Sequence, residues 1–214
     1  YNDSPMTKSK YRTWSEWRGY GKVTSVVGTG GTKNVTEKTY FRGMNGDRAT
    51  KDGGKKTVTV SDSTGATWPD EDWFDGMVRE TRILTSVGGP EDSGTIQDPH
   101  AVNGPSDGRL TSRQVDVAKT VTRQVLASGG VRTGADSTLA WDTHGQPTKT
   151  ESQGDTAVSG DETCTRTSYA TPSNGDTDPI DRVSETSTMP ALCSTDVDTN
   201  QVISASRHYY GTAA

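Results

Sequence analysis

Three sets of residues in this sequence could do chemistry: the histidines His100, His144 and His208, a carboxylate-rich run near position 70, and the cysteines Cys164 and Cys193. Nucleophilic catalysis needs a base positioned against a nucleophile. His100 stands beside Pro99 with no Cys or Ser partner nearby, and no recognisable nucleophile motif surrounds the other two. The expectation is therefore a protein that is not an enzyme, with no catalytic residue, no cofactor and no metal. Gly43 and Gly46 lack the lysine of a phosphate-binding loop and a helix to follow it. Asp70, Glu71 and Asp72, with Asp75 close by, offer the oxygen ligands that calcium takes, but their spacing matches no calcium loop. They read as a solvated turn with Trp73 and Phe74 packed beneath it; a bound calcium ion is the alternative.

Two cysteines are too few for a zinc framework and have no histidine at ligand spacing. Each follows a Thr- or Ser-containing strand-like run and precedes a polar turn. Two readings stay open. Either the pair forms a bridge tying neighbouring hairpins, worth on the order of 3 to 4 kcal/mol by chain entropy and typical of an exported protein, or both are unpaired thiols.

The elements that must carry these residues are constrained by composition. At 214 residues the chain suffices for one large or two small domains, yet only 28% of it is hydrophobic, and mean hydropathy is -0.80. So little apolar surface normally signals disorder. Against that, five Trp and seven Tyr recur along the chain, and Val and Thr dominate the runs between them, the composition of half-solvated pleated sheet. A net charge of -5 with both signs interspersed leaves no electrostatic footprint for nucleic acid, and no run is apolar enough to cross a bilayer as a helix. With no signal peptide and a start inside a Tyr-Asn-Asp turn, the chain reads as an internal piece of something longer.

Alternation predicts a meander. Tyr11 to Trp17 reads as a first strand, turning through Gly19 and Gly21 into Lys22 to Val27, and Val35 to Phe41 follows. Asn45-Gly46 is the strongest short hairpin signal. Lys56 to Asp62 alternates Thr and Val and closes at Asp62-Ser63-Thr64-Gly65, and Met77 to Val87 reads as strand ending at Gly88-Gly89-Pro90. Half of residues 91–110 are Asp, Pro, Gly and Ser, an expected irregular surface loop between hairpin regions 1–90 and 111–214. Arg113 to Leu126 fits a strand by its Val and Thr density and a helix by the spacing of Val117, Val121 and Val125. Beyond it come a Trp141–Tyr169 hairpin unit, a turn over 172–179, a strand over 182–188 and a last strand over 201–210.

Three stretches share a pattern of aromatic, polar or glycine turn, and entry into a Thr-rich strand: Trp17-Arg18-Gly19-Tyr20-Gly21, Trp73-Phe74-Asp75-Gly76 and Trp141-Asp142-Thr143-His144-Gly145. With Thr39 to Asp47, Val78 to Thr81, Cys164 to Ala170 and Arg207 to Gly211 in this order, nearly the whole chain resembles the Rhs or YD-repeat family. More narrowly it is similar to the long actinobacterial members. Trp stands in place of the family's Tyr at Trp17, Trp73 and Trp141, and Arg18 in place of its Asp.

The resemblance implies an all-β fold of repeated antiparallel hairpins in an extended, curved sheet, part of a hollow β-shell. Such shells enclose a C-terminal toxic domain, as in polymorphic toxins, or form an adhesive barrel in teneurin-like proteins. It implies repeat-turn and packing roles for Trp17, Gly19, Gly21, Trp73, Gly76, Trp141, Asp142, Gly145, Tyr169, Tyr209 and Tyr210. The partners it implies are the rest of the same polypeptide and the effector it encloses, at a secreted or cell-surface location, with edge-to-edge self-association. The aspartate pair of shell self-cleavage is not recognisable; Asp98-Pro99 and Asp178-Pro179 lack the sequence that follows in that motif. The runner-up function is a surface adhesion or glycan-binding module using exposed aromatics such as Trp14, Trp68 and Trp73.

Overall fold

The computed structural model describes residues 1–2, 4–30, 33–170, 182–195 and 201–210. The fold is all-β. Among the described residues fourteen strands run in chain order: β1 (Lys22–Val27), β2 (Asn34–Tyr40), β3 (Arg48–Thr50), β4 (Gly53–Lys55), β5 (Thr59–Ser61), β6 (Thr67–Pro69), β7 (Val78–Leu84), β8 (Glu91–Ser106), β9 (Thr111–Val125), β10 (Val131–Trp141), β11 (Pro147–Asp155), β12 (Thr163–Tyr169), β13 (Val183–Met189) and β14 (Ser204–Arg207). Two single turns of 3₁₀ helix, Ser9–Tyr11 and Asp72–Phe74, accompany the strands.

The chain divides into two compact units, one of Tyr1–Val117 with Thr122–Val131, the other of Ala118–Val121 with Arg132–Ala214. In the first, antiparallel β1, β2, β7 and β8 pair in succession. Val35 of β2 and Leu84 of β7 face each other across the ladder, both buried, while every residue of β1 is exposed. The connection from β2 to β7 leaves the sheet and carries two small hairpins, β3–β4 and β5–β6. Its neck closes where the Phe41 N–H donates to the Met77 carbonyl at 2.9 Å and the Phe41 carbonyl accepts from Gly76 N–H at 3.0 Å. Phe41, Val60 and Phe74 form the core there, with Trp68, Met77, Ala101 and Val115 packed against it.

In the second unit β10 to β14 pair antiparallel in chain order. Its core is small: Cys164, Met189 and Cys193, with Val202 against them. Cys164 on β12 lies opposite Glu151 of β11 on one side and Met189 of β13 on the other. A disulfide joins Cys164 to Cys193, with Cα atoms 4.9 Å apart, so the chain leaving β13 is pulled back over the β11–β12 hairpin. There the Cys193 N–H donates to the buried Glu151 carboxylate at 2.8 Å. Of the two readings of the cysteines, the bridge is the one present.

Several expectations are corrected. Residues 91–106 are not a loop but the sixteen-residue strand β8. Turn-forming residues are held extended because the segment pairs with β7 from Leu84↔Glu91 to Glu80↔Ile96, and burial of Ile96 rewards that pairing. The unit boundary accordingly falls within and after β9, not at 91–110. Tyr11 to Trp17 forms no strand; among the described residues no neighbouring strand offers it a ladder, and Tyr11, Trp14 and Trp17 are exposed. Asn45-Gly46 makes a turn, with Gly46 at φ 77°, but the β3–β4 hairpin turns later, at Lys51-Asp52. Asn45 is drawn instead into cross-links, its Oδ1 accepting from Val58 N–H and its Nδ2 donating to Glu71. The 113–126 ambiguity resolves as strand β9. The expected turn over 172–179, Asp178-Pro179 and Gly211 lie outside the described residues.

Because the second unit has so little apolar core, the disulfide closing 29 residues carries a large share of its stability. Reduction is expected to lower its unfolding free energy by about 3 to 4 kcal/mol, read by urea denaturation with and without reductant. Alkylation of native, unreduced protein is expected to label neither cysteine.

Candidate functional site

The densest arrangement of functional side chains is a charge network in the first unit, built on an irregularity in β7. Thr39 of β2 pairs with Glu80 but Tyr40 pairs with Val78, so Arg79 is an extra residue, a β-bulge. A bulge breaks the alternation of a strand, which lets two consecutive side chains turn inward. Both Arg79 and Glu80 are buried. Arg79, 2% exposed, donates to Asp62 at 2.5 Å, to Asp98 and to the Gln97 carbonyl, and its guanidinium lies 5.6 Å from the Trp68 ring centre. Glu80 accepts from the N–H and hydroxyl of Ser63 at 2.9 and 2.5 Å. Together the two bulge residues clamp the β5–β6 turn onto β7.

From Glu80 the charges continue with alternating sign. Arg123 of β9 donates to Glu80 at 2.7 Å and to Glu91 at 2.9 Å. Arg82 of β7 donates to Glu91 at 2.7 Å and to Glu37 at 3.3 Å, and Lys22 of β1 reaches Glu37 at 3.0 Å. Burial by itself would raise the Asp62 carboxyl, but hydrogen bonds from Thr64 and the charge of Arg79 outweigh it and hold its pKa below the ordinary value. Glu37 is likewise lowered: burial raises it, and Lys22 and then Arg82 outweigh the burial. Paired and part-shielded charges of this kind fix geometry more than they add net stability.

The acidic run is also organised differently from a solvated turn. Asp70 is fully buried and its carboxylate accepts the backbone N–H groups of Arg42, Gly43 and Met44 at 2.7, 2.9 and 3.3 Å. A concave row of main-chain donors holds an anion there. A Cβ on Gly43, at φ 64°, would stand 3.0 Å from the Asp72 backbone, so this cradle needs its glycine. Phe74 is packed beneath, as expected, while Trp73 is partly exposed with Arg113 over its ring at 4.2 Å. Among the described residues no group of three or more His, Cys, Asp or Glu is placed to share a metal ion.

The other predicted repeat residues are dispersed. Trp17 is 74% exposed, edge-on to Tyr20 at 5.4 Å. Gly19 has a positive φ, Gly21 lies under the Arg42 side chain, and Gly76 closes the Phe41 neck. Trp141 ends β10, and the next five residues make a turn in which Asp142 Oδ1 accepts from His144 N–H at 2.8 Å and Gln146 N–H at 2.9 Å, with Gly145 at φ 79°. Tyr169 donates its hydroxyl to the Pro147 carbonyl at 2.9 Å, Tyr210 to that of Val183 at 2.8 Å, and Tyr209 is exposed. His100 lies in β8, His144 in the Asp142 turn, and His208 after β14.

The turn that matches Asp142–Gln146 is not Trp73–Gly76, a 3₁₀ turn, but Asp62–Ala66. There Asp62 Oδ1 accepts from Thr64 and Ala66 N–H, the Asp62 N–H donates to the Ala66 carbonyl, and Gly65 has φ 88°. The signal was in the sequence as Asp-x-x-Gly, which an aspartate folding onto its own backbone requires. No sequence spacing announces the Arg79 network, whose partners are 17 to 19 residues away.

Arg79→Ala is expected to cost about 3 to 5 kcal/mol by leaving the Asp62 carboxylate buried and unpaired, read from urea unfolding of the first unit. The double change Arg79→Met, Asp62→Leu is expected to recover much of that loss. Because Asp62 and Glu37 titrate lower folded than unfolded, their contribution is complete above the unfolded value of about 4 and is lost as pH falls through the lower folded values. Unfolding midpoints are expected to stay level from neutral pH down to about 5 and to drop below about 4.

No family model matches the sequence, and no curated protein matches it. Among solved structures the fold is similar to part of the Tc holotoxin pore of Photorhabdus luminescens, in a form carrying a mutation in TccC3, with a TM-score of 0.55 at 12% identity. The likeness covers 80% of this chain and 11% of that one, so the chain spans a small part of the protein it matches. At that identity the likeness is one of fold: an all-β architecture similar to a segment of a toxin complex.

Proposed function

We propose that this chain is a non-catalytic wall segment of a secreted or surface Rhs/YD-repeat protein, serving to enclose or present a C-terminal toxin or effector domain. The observation that supports this best is the order of the strands. Within each unit the sheet grows by adding strands in chain order, β1-β2-β7-β8-β9 and β10 to β14, as a wall built by continued hairpin pairing requires. The fold likeness to a toxin complex supports the same reading, and the disulfide supports an exported location. A wall has little need of a thick apolar core, and the polar network and the disulfide supply cross-links in its place. The partners are then the rest of the polypeptide and its enclosed domain.

A second reading, a surface adhesion or glycan-binding module, is favoured at one place. Tyr11, Trp14, Trp17 and Tyr20 are exposed in the segment before β1. Of the other tryptophans expected to be exposed, Trp73 is, with Arg113 over its ring, whereas Trp68 is half-buried beneath Arg79.

The wall reading predicts that, in the full-length polypeptide, the C-terminal domain resists trypsin until the β-region is unfolded, and is cleaved readily when expressed alone. Equal cleavage in both settings would overturn it. It further predicts that the isolated chain self-associates through exposed β1 and that Val26→Lys with Val27→Lys suppresses this, measured by sedimentation velocity.

A further inference from the structure

A cleft of about 560 Å³ in the first unit is lined by Glu16, Trp17, Arg18, Asn45, Asp72 and Asp75 among others. Trp14, Trp68 and Trp73, the other tryptophans of this unit, each carry a cation of the same chain over the ring, from Lys56 at 6.0 Å, Arg79 at 5.6 Å and Arg113 at 4.2 Å. Trp17 is the most exposed of the four, and among the described residues no cation covers it; its ring contact is Tyr20.

The charge beside that ring is negative. Arg18 is 3.0 Å from Asp72, but 3.7 Å from Glu16 and 3.8 Å from Asp75, beyond hydrogen-bond reach. One guanidinium thus faces three carboxylates, whose side chains are 38%, 69% and 51% exposed for Glu16, Asp72 and Asp75. The excess negative charge and the open carboxylate oxygens are available to a second donor.

We propose that this cleft binds a basic peptide segment, with one arginine side chain laid on the Trp17 indole and its guanidinium directed to Asp75 and Asp72. An indole face attracts a cation through its quadrupole, and a planar guanidinium both stacks on a ring and forks onto carboxylates, where an ammonium does only part of this. The arrangement repeats on an external ligand what Arg113 does on Trp73 within the chain. A neutral saccharide would use the ring but not the negative charge. This inference stands apart from the wall reading: a protein that lines a shell and one that adheres to a surface would both present the cleft, and its failure would leave either reading untouched.

The probe is a fluorescein-labelled, N-acetylated tetra-arginine amide, titrated with the protein and followed by anisotropy. Saturable binding is expected, weaker with tetra-lysine. Trp17→Ala is expected to weaken it about ten-fold, Trp17→Phe to restore most of that, and Asp72→Asn with Asp75→Asn to weaken it comparably. Asp52→Asn with Asp92→Asn, a pair of exposed carboxylates outside the cleft, is expected to change nothing. Circular dichroism of each variant checks that the fold persists. The proposal is overturned by absence of saturation, by undiminished binding to Trp17→Ala, by equal loss in the Asp52, Asp92 control, or by tighter binding of a neutral oligosaccharide than of the peptide.

Discussion

The first unit depends on one buried cation. Arg79 is extra to the register of β7, and because the bulge turns it inward its charge cannot reach water. An unpaired guanidinium there would cost several kcal/mol, so the fold must bring carboxylates to it. It does so from two directions, with Asp62 at a hairpin turn and Asp98 on β8. The long connection between β2 and β7 is thereby fastened to the sheet by charge as much as by Phe41, Val60 and Phe74. Asp62 serves twice: one oxygen shapes its own turn and the other receives Arg79.

The same economy governs the rest of the molecule. A chain with so few large aliphatic residues has little apolar area to bury, and its rigid points are polar groups that satisfy each other. Asp70 is held by three backbone N–H groups, and Glu151 receives the N–H of Cys193. In the second unit a covalent bond completes what packing begins, joining β12 to the chain beyond β13. Such devices hold a sheet together while leaving polar surface outside, which suits a wall and suits a solvated adhesive surface equally.

Much of this was legible in the residues. The Val- and Thr-rich runs marked β1, β2, β7, β12 and β13 to within a few positions, because strand composition is written locally. The Asp-x-x-Gly spacing at Asp62 and Asp142 was equally readable, although matching aromatic residues paired Trp141 with Trp73 and so set the wrong turns side by side. What misled was also local. Glycine, serine and proline between 91 and 106 argue for a loop, and aromatic alternation between 11 and 17 argues for a strand. In both cases the outcome turned on whether a neighbouring strand was there to pair.

The amino-acid sequence by itself determined the class of structure, the turns that aspartate and glycine impose on their own backbone, and the presence of two cysteines able to join. Those are consequences of φ/ψ preference and composition, which act over a few residues. Only the tertiary structure decided which charges meet: Arg79 with Asp62 and Asp98, Arg123 with Glu80 and Glu91, and Arg82 with Glu37. A salt bridge has no periodicity to read, and its partners are chosen by register and by a bulge that a single inserted residue creates. The same holds for Trp17, whose sequence resembles a repeat position and whose exposed ring shares a cleft with three carboxylates and one guanidinium only in the folded chain.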